Sequence, residues 1–189
     1  MSAPPGTGGA REEAGASGAG AAGPRVRRIR TEEGAVLRAV RLRALADAPL
    51  AFGSTHAREL AYPDATWAAW AADSAAGEGQ AFFLAVGADE AAVGLASGVI
   101  RPEHPHLAHL YAMWVAPEAR GTGAGAALVE AVAAWAAAAG ARVLRTAVTV
   151  GNDGAARLYE RTGFRATGER EPLGHSDAEV AILERALKP

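Results

Sequence analysis

The sequence of 189 residues contains no cysteine, and three further absences narrow the classes of protein that it can encode. Without cysteine there is no disulfide, no thiolate metal site and no cysteine nucleophile. No uninterrupted apolar run reaches the ~18 residues of a membrane span, and the N-terminus lacks a basic start followed by an apolar core. A formal net charge of −2 provides no basic field for nucleic acid. We therefore expect a soluble, cytoplasmic protein with no nucleic-acid and no membrane partner.

Apolar residues are plentiful, at 50% of the chain, and suffice for the core of one domain. Residues 1–23 differ from the rest, because they are almost entirely Gly, Ala, Ser, Pro and Thr and contain no large apolar side chain after Met1. Such a segment cannot offset its ordering entropy by burial. We expect residues 1–23 to form a disordered tail and residues 24–189 to form a single domain.

Hydrophobic patterning divides residues 24–189 into seven predicted strands and four predicted helices. The strands are predicted near Val26 and over 81–86, 92–100, 107–115, 143–150, 165–171 and 179–187. The helices are predicted from Thr31 as N-cap to Asp47, over 64–76, from the glycines near 125 to Gly140, and from Asn152 to Gly163. This order of elements predicts an α/β protein with a mixed sheet and helices on both faces.

The most informative segment is residues 115–125, with the sequence VAPEARGTGAG, which joins a predicted strand to an alanine-rich helix. Its glycines at 121, 123 and 125 allow a tight turn whose N–H groups point at a ligand, and the helix that follows adds the positive end of its dipole. The segment therefore predicts an anion cradle for a phosphate-bearing cofactor. A tight strand-to-helix turn with no ligand is the structural alternative.

Two common phosphate-binding motifs do not fit this segment. A Walker loop ends in Gly-Lys-Ser/Thr, whereas Gly125 is followed by two alanines. A dinucleotide-binding turn follows the first strand and has an acidic ribose ligand about 20 residues later, whereas these glycines follow roughly the fourth strand and residues 141–145 contain no acidic side chain. A nucleoside triphosphatase or a dinucleotide-binding domain is thus disfavoured.

A second motif lies one predicted strand later. Asn152 and Tyr159 are seven residues apart, which places them on the same face of a short helix, where both can line one cleft. Taken singly, Asn152 is equally well interpreted as a helix cap and Tyr159 as a half-buried core residue. Next to an anion cradle, one shared cleft explains both residues together.

These two motifs, in this order, resemble those of the GCN5-related N-acetyltransferase (GNAT) superfamily. Arg120, Gly123 and Gly125 match the Arg/Gln-x-x-Gly-x-Gly/Ala motif of that family. Residues 152–164, with the sequence NDGAARLYERTGF, are similar to its Asn-x-x-Ala-x-x-Leu-Tyr-Glu-x-x-Gly-Phe segment. The resemblance implies a mostly antiparallel sheet of six to seven strands, flanked by about four helices and splayed between the fourth and fifth strands.

The resemblance also implies acetyl-CoA as co-substrate. No metal is expected, because Pro105 interrupts the histidines at 104, 106 and 109 and no carboxylate pattern supports a site. In the family, the pyrophosphate binds the backbone amides of the glycine turn, the pantetheine lies between the splayed strands, and a β-bulge near Met113–Val115 exposes amides to the cofactor. The cofactor-binding residues implied in this way are Met113, Trp114, Val115, Arg120, Gly121, Thr122, Gly123, Ala124, Gly125, Ala126, Asn152, Ala155 and Tyr159.

The implied reaction is direct attack of a primary amine on the acetyl thioester, with Tyr159 as the general acid for the departing thiolate. His109 is the candidate general base, because some family members carry a glutamate there and an unperturbed histidine pKa of about 6.5 suits proton removal. A polar side chain at a strand entrance is the alternative for His109. The acceptor is a small-molecule or peptide amine, and Glu59, His175 and Asp177 are candidates to meet it. A homodimer and a non-catalytic acyl-CoA-binding regulatory module stay open.

Overall fold

The computed structural model describes residues 25–77 and 79–188, along which seven strands and five α-helices follow one another. The strands are β1 (Arg25–Arg28), β2 (Gln80–Val86), β3 (Ala92–Ile100), β4 (Leu107–Val115), β5 (Val143–Thr149), β6 (Arg165–Pro172) and β7 (Glu179–Ala186). The helices are α1 (Gly34–Asp47), α2 (His56–Leu60), α3 (Asp64–Ala76), α4 (Ala124–Ala138) and α5 (Asp153–Arg161), with a 3-10 turn over Pro117–Ala119. Within the described ranges, none of the helices combines the length and apolarity of a membrane span. The predicted tail over residues 1–23 lies outside the described residues.

One sheet contains all seven strands, in the order β1-β2-β3-β4-β5-β7-β6. Every neighbouring pair is antiparallel except β4 and β5, which are parallel. These two strands pair only over Leu107–His109 and Val143–Arg145, and they diverge beyond that point. The predicted mixed, mostly antiparallel sheet, splayed between its fourth and fifth strands, is confirmed.

Helices cover both faces of the sheet, because side chains alternate between its two faces along each strand. On one face, α1 and α3 pack with Leu37 and Trp67 against strand residues such as Leu84 and Leu95. On the other face, α4 buries Leu128, Val132 and Trp135, together with Phe83, Leu110 and Leu144. The expected position of helices on both faces is confirmed.

The start of α1 differs from the prediction. The helix begins at Gly34 rather than after Thr31, because the Glu33 carboxylate accepts hydrogen bonds from the Arg30 N–H at 2.8 Å and from the Arg27 guanidinium at 2.7 Å. These bonds hold the segment before Gly34 in a turn beside β1. Gly34 itself packs against α3, where an added Cβ would lie 2.8 Å from the Ala68 backbone.

Helix α2 was not predicted, so residues 25–77 and 79–188 contain five α-helices instead of about four. It contains only five residues, and its N-cap is Thr55, whose hydroxyl accepts a hydrogen bond from the Arg58 N–H at 3.3 Å. A helix of about one and a half turns is too short to show a hydrophobic periodicity in the sequence. Its buried residue is Glu59, which is charged and therefore looks like a surface residue in the sequence.

We predict that Gly98→Ala destabilises the fold through overpacking between β3 and α4. An added Cβ at Gly98 would lie 2.4 Å from Trp135 Cζ3 and 3.0 Å from Val132 Cγ1, and the indole cannot move freely because its N–H donates to the Gly77 carbonyl at 3.1 Å. The expected loss of unfolding free energy is about 1–3 kcal/mol, measured by urea denaturation. Gly174→Ala is the control, since its Cβ would meet no heavy atom within 4 Å. Equal midpoints for both variants would contradict this packing.

Candidate functional site

The glycine turn after β4 presents its backbone to open space. Gly121 and Gly123 have φ angles of +81° and +89°, and a Cβ added at either would meet no heavy atom within 4 Å. Gly123 is the N-cap of α4, whose first-turn N–H groups have no intrahelical acceptor. Free amides and the positive end of a helix dipole therefore face the same open space, which is the arrangement that binds anions.

Gly125 has a different purpose, which is close packing between helices. A Cβ at this position would lie 3.2 Å from Leu158 Cδ2 and 3.5 Å from Met113 Cε. The glycine thus lets the first turn of α4 approach α5 and β4 closely. As a result, the turn, the end of β4 and the helix with Asn152 and Tyr159 enclose one cavity.

The Arg120 side chain ties the turn to α1. Its guanidinium is paired with the carboxylate of Asp47, the last residue of α1, and its Nε donates to the Val115 carbonyl at 3.1 Å. The same carboxylate accepts a 2.8 Å hydrogen bond from the Trp114 indole N–H. Bonds from Trp114 and then from Arg120 lower the pKa of Asp47, so this tie stays charged at neutral pH.

Asp47 is a residue that the sequence analysis missed. Its partners lie 67 and 73 residues away in the chain, so no local pattern reveals them. One local signal did exist. Asp47 lies at the C-terminal end of its helix, where a negative charge interacts unfavourably with the helix dipole, so another interaction is expected to stabilise it. The tie to Trp114 and Arg120 is that reason.

A β-bulge distorts β4 beside this turn. Leu95 pairs with Trp114 and Ser97 pairs with Tyr111, so Ala96 alone faces both Ala112 and Met113. Ala112 has a φ angle of +54°, which an L-residue adopts only when its surroundings enforce it. The bulge was predicted near Met113–Val115, and it lies at the N-terminal end of that range, with Ala112 added. It frees backbone groups there from the regular ladder.

A cavity of about 690 Å³, here called the turn cavity, opens between the glycine turn and α5. All of the implied cofactor-binding residues line it except Thr122 and Ala124. Those that do are Met113, Trp114, Val115, Arg120, Gly121, Gly123, Gly125, Ala126, Asn152, Ala155 and Tyr159. Ala124 is buried, and the Thr122 hydroxyl donates to the Ala119 carbonyl at 2.7 Å, which stabilises the turn from within.

Asn152 and Tyr159 both line the turn cavity, as their spacing predicts. Asn152 is also a cap, since its side chain accepts a hydrogen bond from the Ala155 N–H at 3.2 Å. The Tyr159 ring is buried against Phe164, with centroids 5.3 Å apart. Burial raises the pKa of the Tyr159 phenol, an effect that the neighbouring Thr146 side chain opposes in part. The phenol therefore keeps its proton at neutral pH and is available as a donor.

A second cavity of about 570 Å³, here called the sheet cavity, lies where β4 and β5 diverge. Its walls include Tyr111 and Met113 of β4, Thr146 of β5 and Glu59 of α2. The two cavities share four lining residues, which are Ala51, Phe52, Met113 and Tyr159. Tyr159 therefore lies at the junction of the two cavities.

Two hydrogen bonds attach the loop between α1 and α2 to residues on the β5 side of the sheet. The Thr149 hydroxyl at the end of β5 donates to the Leu50 carbonyl at 2.6 Å, and His175 Nε2 lies 2.6 Å from the Phe52 carbonyl oxygen. His175 thus contacts the loop above the cavities, whereas Asp177 lines neither cavity. These bonds connect the β4 and β5 sides of the sheet in the region where the two strands no longer pair with each other.

Comparison with models of known protein families identifies a family for most of the chain. The model of the acetyltransferase (GNAT) family matches residues 43–164, well over half of the sequence. This chain belongs to the GNAT acetyltransferase family. The match covers Asp47, the bulge, the glycine turn and Tyr159. No match is found among curated proteins.

Solved GNAT structures share the fold of this GNAT chain. A GNAT-family acetyltransferase from Streptococcus pneumoniae is 19% identical with a TM-score of 0.71, covering 86% of this chain and 99% of that one. An N-acetyltransferase from Staphylococcus aureus is 18% identical with a TM-score of 0.72, covering 87% and 98%. A phosphinothricin acetyltransferase from Sinorhizobium meliloti, in complex with acetyl-CoA, is 18% identical with a TM-score of 0.71, covering 87% and 88%.

His109, the predicted general base, lies on the paired part of β4. It lines neither cavity, because β4 still pairs with β5 at this residue, opposite Arg145, and the strands diverge only afterwards. Its ring stacks on Tyr111 at 5.5 Å. Burial, and then the positive charges of Arg101 and Arg145, lower the pKa of His109. The role of His109 as a general base stays a prediction, beside the alternative of a strand-entrance residue.

The lowered pKa of His109 predicts an acid-sensitive contribution to stability. The unfolded chain takes up a proton at His109 near pH 6.5, whereas the folded chain resists it, so this contribution is present above about pH 6.5 and is lost as the pH falls. His109→Gln should therefore lose less melting temperature than the wild type between pH 7 and pH 5, as followed by circular dichroism. An equal or larger loss in the variant would contradict the assignment.

Proposed function

We propose that this protein transfers the acetyl group of acetyl-CoA to a primary amine by direct attack, without a covalent enzyme intermediate. The observation that carries the proposal is the position of Tyr159 at the junction of the turn cavity and the sheet cavity. A donor held in the first cavity and an acceptor held in the second would meet at this phenol. Family membership and the acetyl-CoA complex of the Sinorhizobium meliloti relative support the choice of donor.

The residues of the turn cavity fit acetyl-CoA. The open space in front of Gly121 and Gly123, together with the first turn of α4, provides amide donors for a pyrophosphate. The volume of about 690 Å³ and the apolar walls near Met113 and Leu158 suit a long, flexible ligand. When bound, acetyl-CoA supplies the activated acetyl thioester. Backbone groups freed by the bulge at Ala112 and Met113 are candidates to polarise a carbonyl oxygen.

Tyr159 is the proposed general acid. Its raised pKa keeps a proton on the phenol oxygen until a departing thiolate takes it. No nucleophilic side chain is needed, because the amine itself attacks. An ordinary lysine-like amine has a pKa of about 10.4, so deprotonation at pH 7 costs roughly 4–5 kcal/mol at 1.36 kcal/mol per unit. His109 stays the predicted base, and it is not among the residues that line either cavity.

A second function, from a different class, is a non-catalytic acyl-CoA-binding regulatory module on the same fold. It would need the turn cavity but not a proton donor at the junction. The buried phenol of Tyr159 favours catalysis, because a merely structural aromatic residue would not need a hydroxyl group there. The acceptor in the catalytic proposal is a small-molecule or peptide amine.

We predict that Tyr159→Phe lowers turnover far more than it lowers acetyl-CoA affinity. Loss of a general acid should reduce kcat by about 10²–10⁴-fold, while the ring itself still fills its place against Phe164. Thiol release measures kcat, and calorimetry measures the dissociation constant of CoA. Equal losses in both quantities would remove Tyr159 from proton transfer.

The opposite pattern is expected for Asp47→Ala. This change removes the carboxylate that holds Trp114 and Arg120, and therefore the support of the glycine turn. We expect CoA to bind about tenfold more weakly, roughly 1.4 kcal/mol, with a smaller effect on kcat at saturating acetyl-CoA. Asp73→Ala, at an exposed position of α3, is the matched control. Unchanged CoA affinity in Asp47→Ala would show that the tie does not support the turn.

A further inference from the structure

Three strand residues in one row form the floor of the sheet cavity. Phe82 pairs with Ser97, and Ser97 pairs with Tyr111, so the three side chains project from the same face of the sheet. This is the face that α1 and α3 cover, because Phe82 and Leu95 pack there, and Leu95 lies two residues before Ser97 in β3. All three residues line the sheet cavity, and they are here called the floor row.

A hydrogen bond confirms the direction in which the floor row points. Gln80, two residues before Phe82 in β2, donates from Nε2 to Ser74 Oγ of α3 at 3.2 Å. Side chains two residues apart in a strand share a face of the sheet. The floor row therefore faces α3, and Trp70 of that helix also lines the cavity.

Ser97 makes the floor row lower than the row next to it. The neighbouring row on the same face consists of Leu84, Leu95 and Trp114, has a leucine in its middle strand, and is fully packed, with exposures of 0%, 0% and 5%. In the floor row, a serine lies between two aromatic residues, and it is the one polar residue of β3. Strands β2 and β4 are two strand spacings apart, about 9–10 Å, so a side chain with one heavy atom beyond Cβ leaves a recess between them.

The charged groups in the cavity wall neutralise each other. Arg41 of α1 donates two hydrogen bonds to Glu59 of α2, at 2.9 Å and 2.7 Å, and the side chains are 12% and 6% exposed. Glu59, a predicted contact of the acceptor, is thus paired within the protein. Among the described residues that line the cavity, the other charged residue is Glu171, on the exposed strand β6. A second charge on the acceptor would therefore have no counter-charge beside the floor row and would be costly to bury.

We propose, resting on the proposed acetyl transfer, that the acceptor is a primary amine with an uncharged apolar body, which lies over Ser97 between Phe82 and Tyr111. The amine group lies at the junction of the two cavities, where Tyr159 donates its proton. Aromatic rings pack favourably against one another, so the walls suit an apolar or aromatic body. Ser97 determines specificity in this arrangement, because its small side chain sets the size of the body that fits.

The atoms of this reaction balance without another reactant. The amine nitrogen forms a bond to the acetyl carbonyl carbon, and the carbon–sulfur bond of the thioester breaks. The departing sulfur takes the proton of the Tyr159 phenol, and the phenolate is reprotonated from solvent. The attacking nitrogen loses one proton to solvent, directly or through the predicted base His109. The apolar body of the acceptor is unchanged throughout.

The first test compares acceptors that differ only at the end remote from the reacting amine. Hexylamine, 6-aminohexanoate and 1,6-diaminohexane share a chain of six carbon atoms, and each is assayed by thiol release at saturating acetyl-CoA. We expect kcat/KM to be at least about tenfold higher for hexylamine than for either charged acceptor, because the remote charge must be buried. A charged acceptor that equals or exceeds hexylamine would overturn the inference.

Variants of Ser97 then test the recess. Ser97→Val fills it with a residue that strands accept well, and should lower kcat/KM for 2-phenylethylamine about tenfold while ethylamine, which is too small to reach the recess, changes little. Ser97→Ala is the matched control, since it keeps the space and removes only the hydroxyl group, and it should behave like the wild type. Equal losses in Ser97→Ala and Ser97→Val would overturn the assignment of size selection to Ser97.

A second variant keeps the test decisive if Ser97→Val does not fold, which melting curves and CoA affinity reveal. Tyr111 is 42% exposed, so Tyr111→Ala removes one wall of the recess at little cost to the core. We expect kcat/KM for 2-phenylethylamine to fall several-fold relative to ethylamine, through a higher KM. An unchanged ratio of the two acceptors would contradict the placement of the body beside Tyr111.

Direct binding separates this inference from the proposed function. If no amine releases thiol, the proposed acetyl transfer fails, and thermal shift in the presence of CoA tests the cavity alone. Stabilisation of the wild type by 2-phenylethylamine but not by 1,6-diaminohexane, with loss of the effect in Ser97→Val, would support the inference without turnover. If charged and uncharged amines release thiol equally well, the proposed function stands and the inference is overturned.

Discussion

The parting of β4 and β5 after three paired residues is the constraint on which the rest of this structure depends. A continuous ladder would leave no room for a ligand between the strands, and both cavities would close. Once the strands part, the backbone groups of β4 beyond His109 lose their partner on that side. An exposed strand edge of this kind is unfavourable unless something covers it. Under the proposed function, acetyl-CoA and its acceptor occupy the opening at the same time.

Contacts outside the ladder hold the divergent strands in place. The Asp47 carboxylate connects the end of α1 to Trp114 and Arg120, and thereby connects the bulged strand to the glycine turn. Hydrogen bonds from Thr149 and His175 to the loop after α1 connect the β5 side. The bulge itself places Ala112 in a left-handed conformation, a strain that neighbouring contacts must offset. The site is therefore a cooperative structure, and not a loop added to a rigid sheet.

Local patterns were sufficient to predict most of the fold and the turn cavity. Strand and helix periodicity, the end of the helix after the fourth strand at Gly140 and the Asn152 cap all depend on nearby residues, and the structure shows each of them. The conformation of the glycine turn could be predicted because few backbone conformations allow so tight a turn. Family resemblance then supplied the splay, which composition and periodicity alone do not reveal.

The features of the site that the sequence did not predict depend on contacts between residues that are distant in the chain. Asp47 and Arg41 are ordinary charged surface residues in the sequence, and Glu59 was expected only as a candidate to meet the acceptor. The packing of α1 and α2 makes all three part of the cavities. Whether a side chain of β4 lines the sheet cavity depends on where β4 and β5 separate. Tyr111 lines this cavity, whereas His109, two residues earlier, still lies in the paired part of the strand. No pattern within β4 reveals that point of separation.

The most direct test of this account is a crystal structure of the protein grown with acetyl-CoA. The account predicts the pyrophosphate on the amides of residues 121–126, the pantetheine between β4 and β5, and the thioester sulfur in contact with the Tyr159 hydroxyl. A ligand that binds elsewhere on the surface, or strands β4 and β5 that pair along their full length in the crystal, would contradict it.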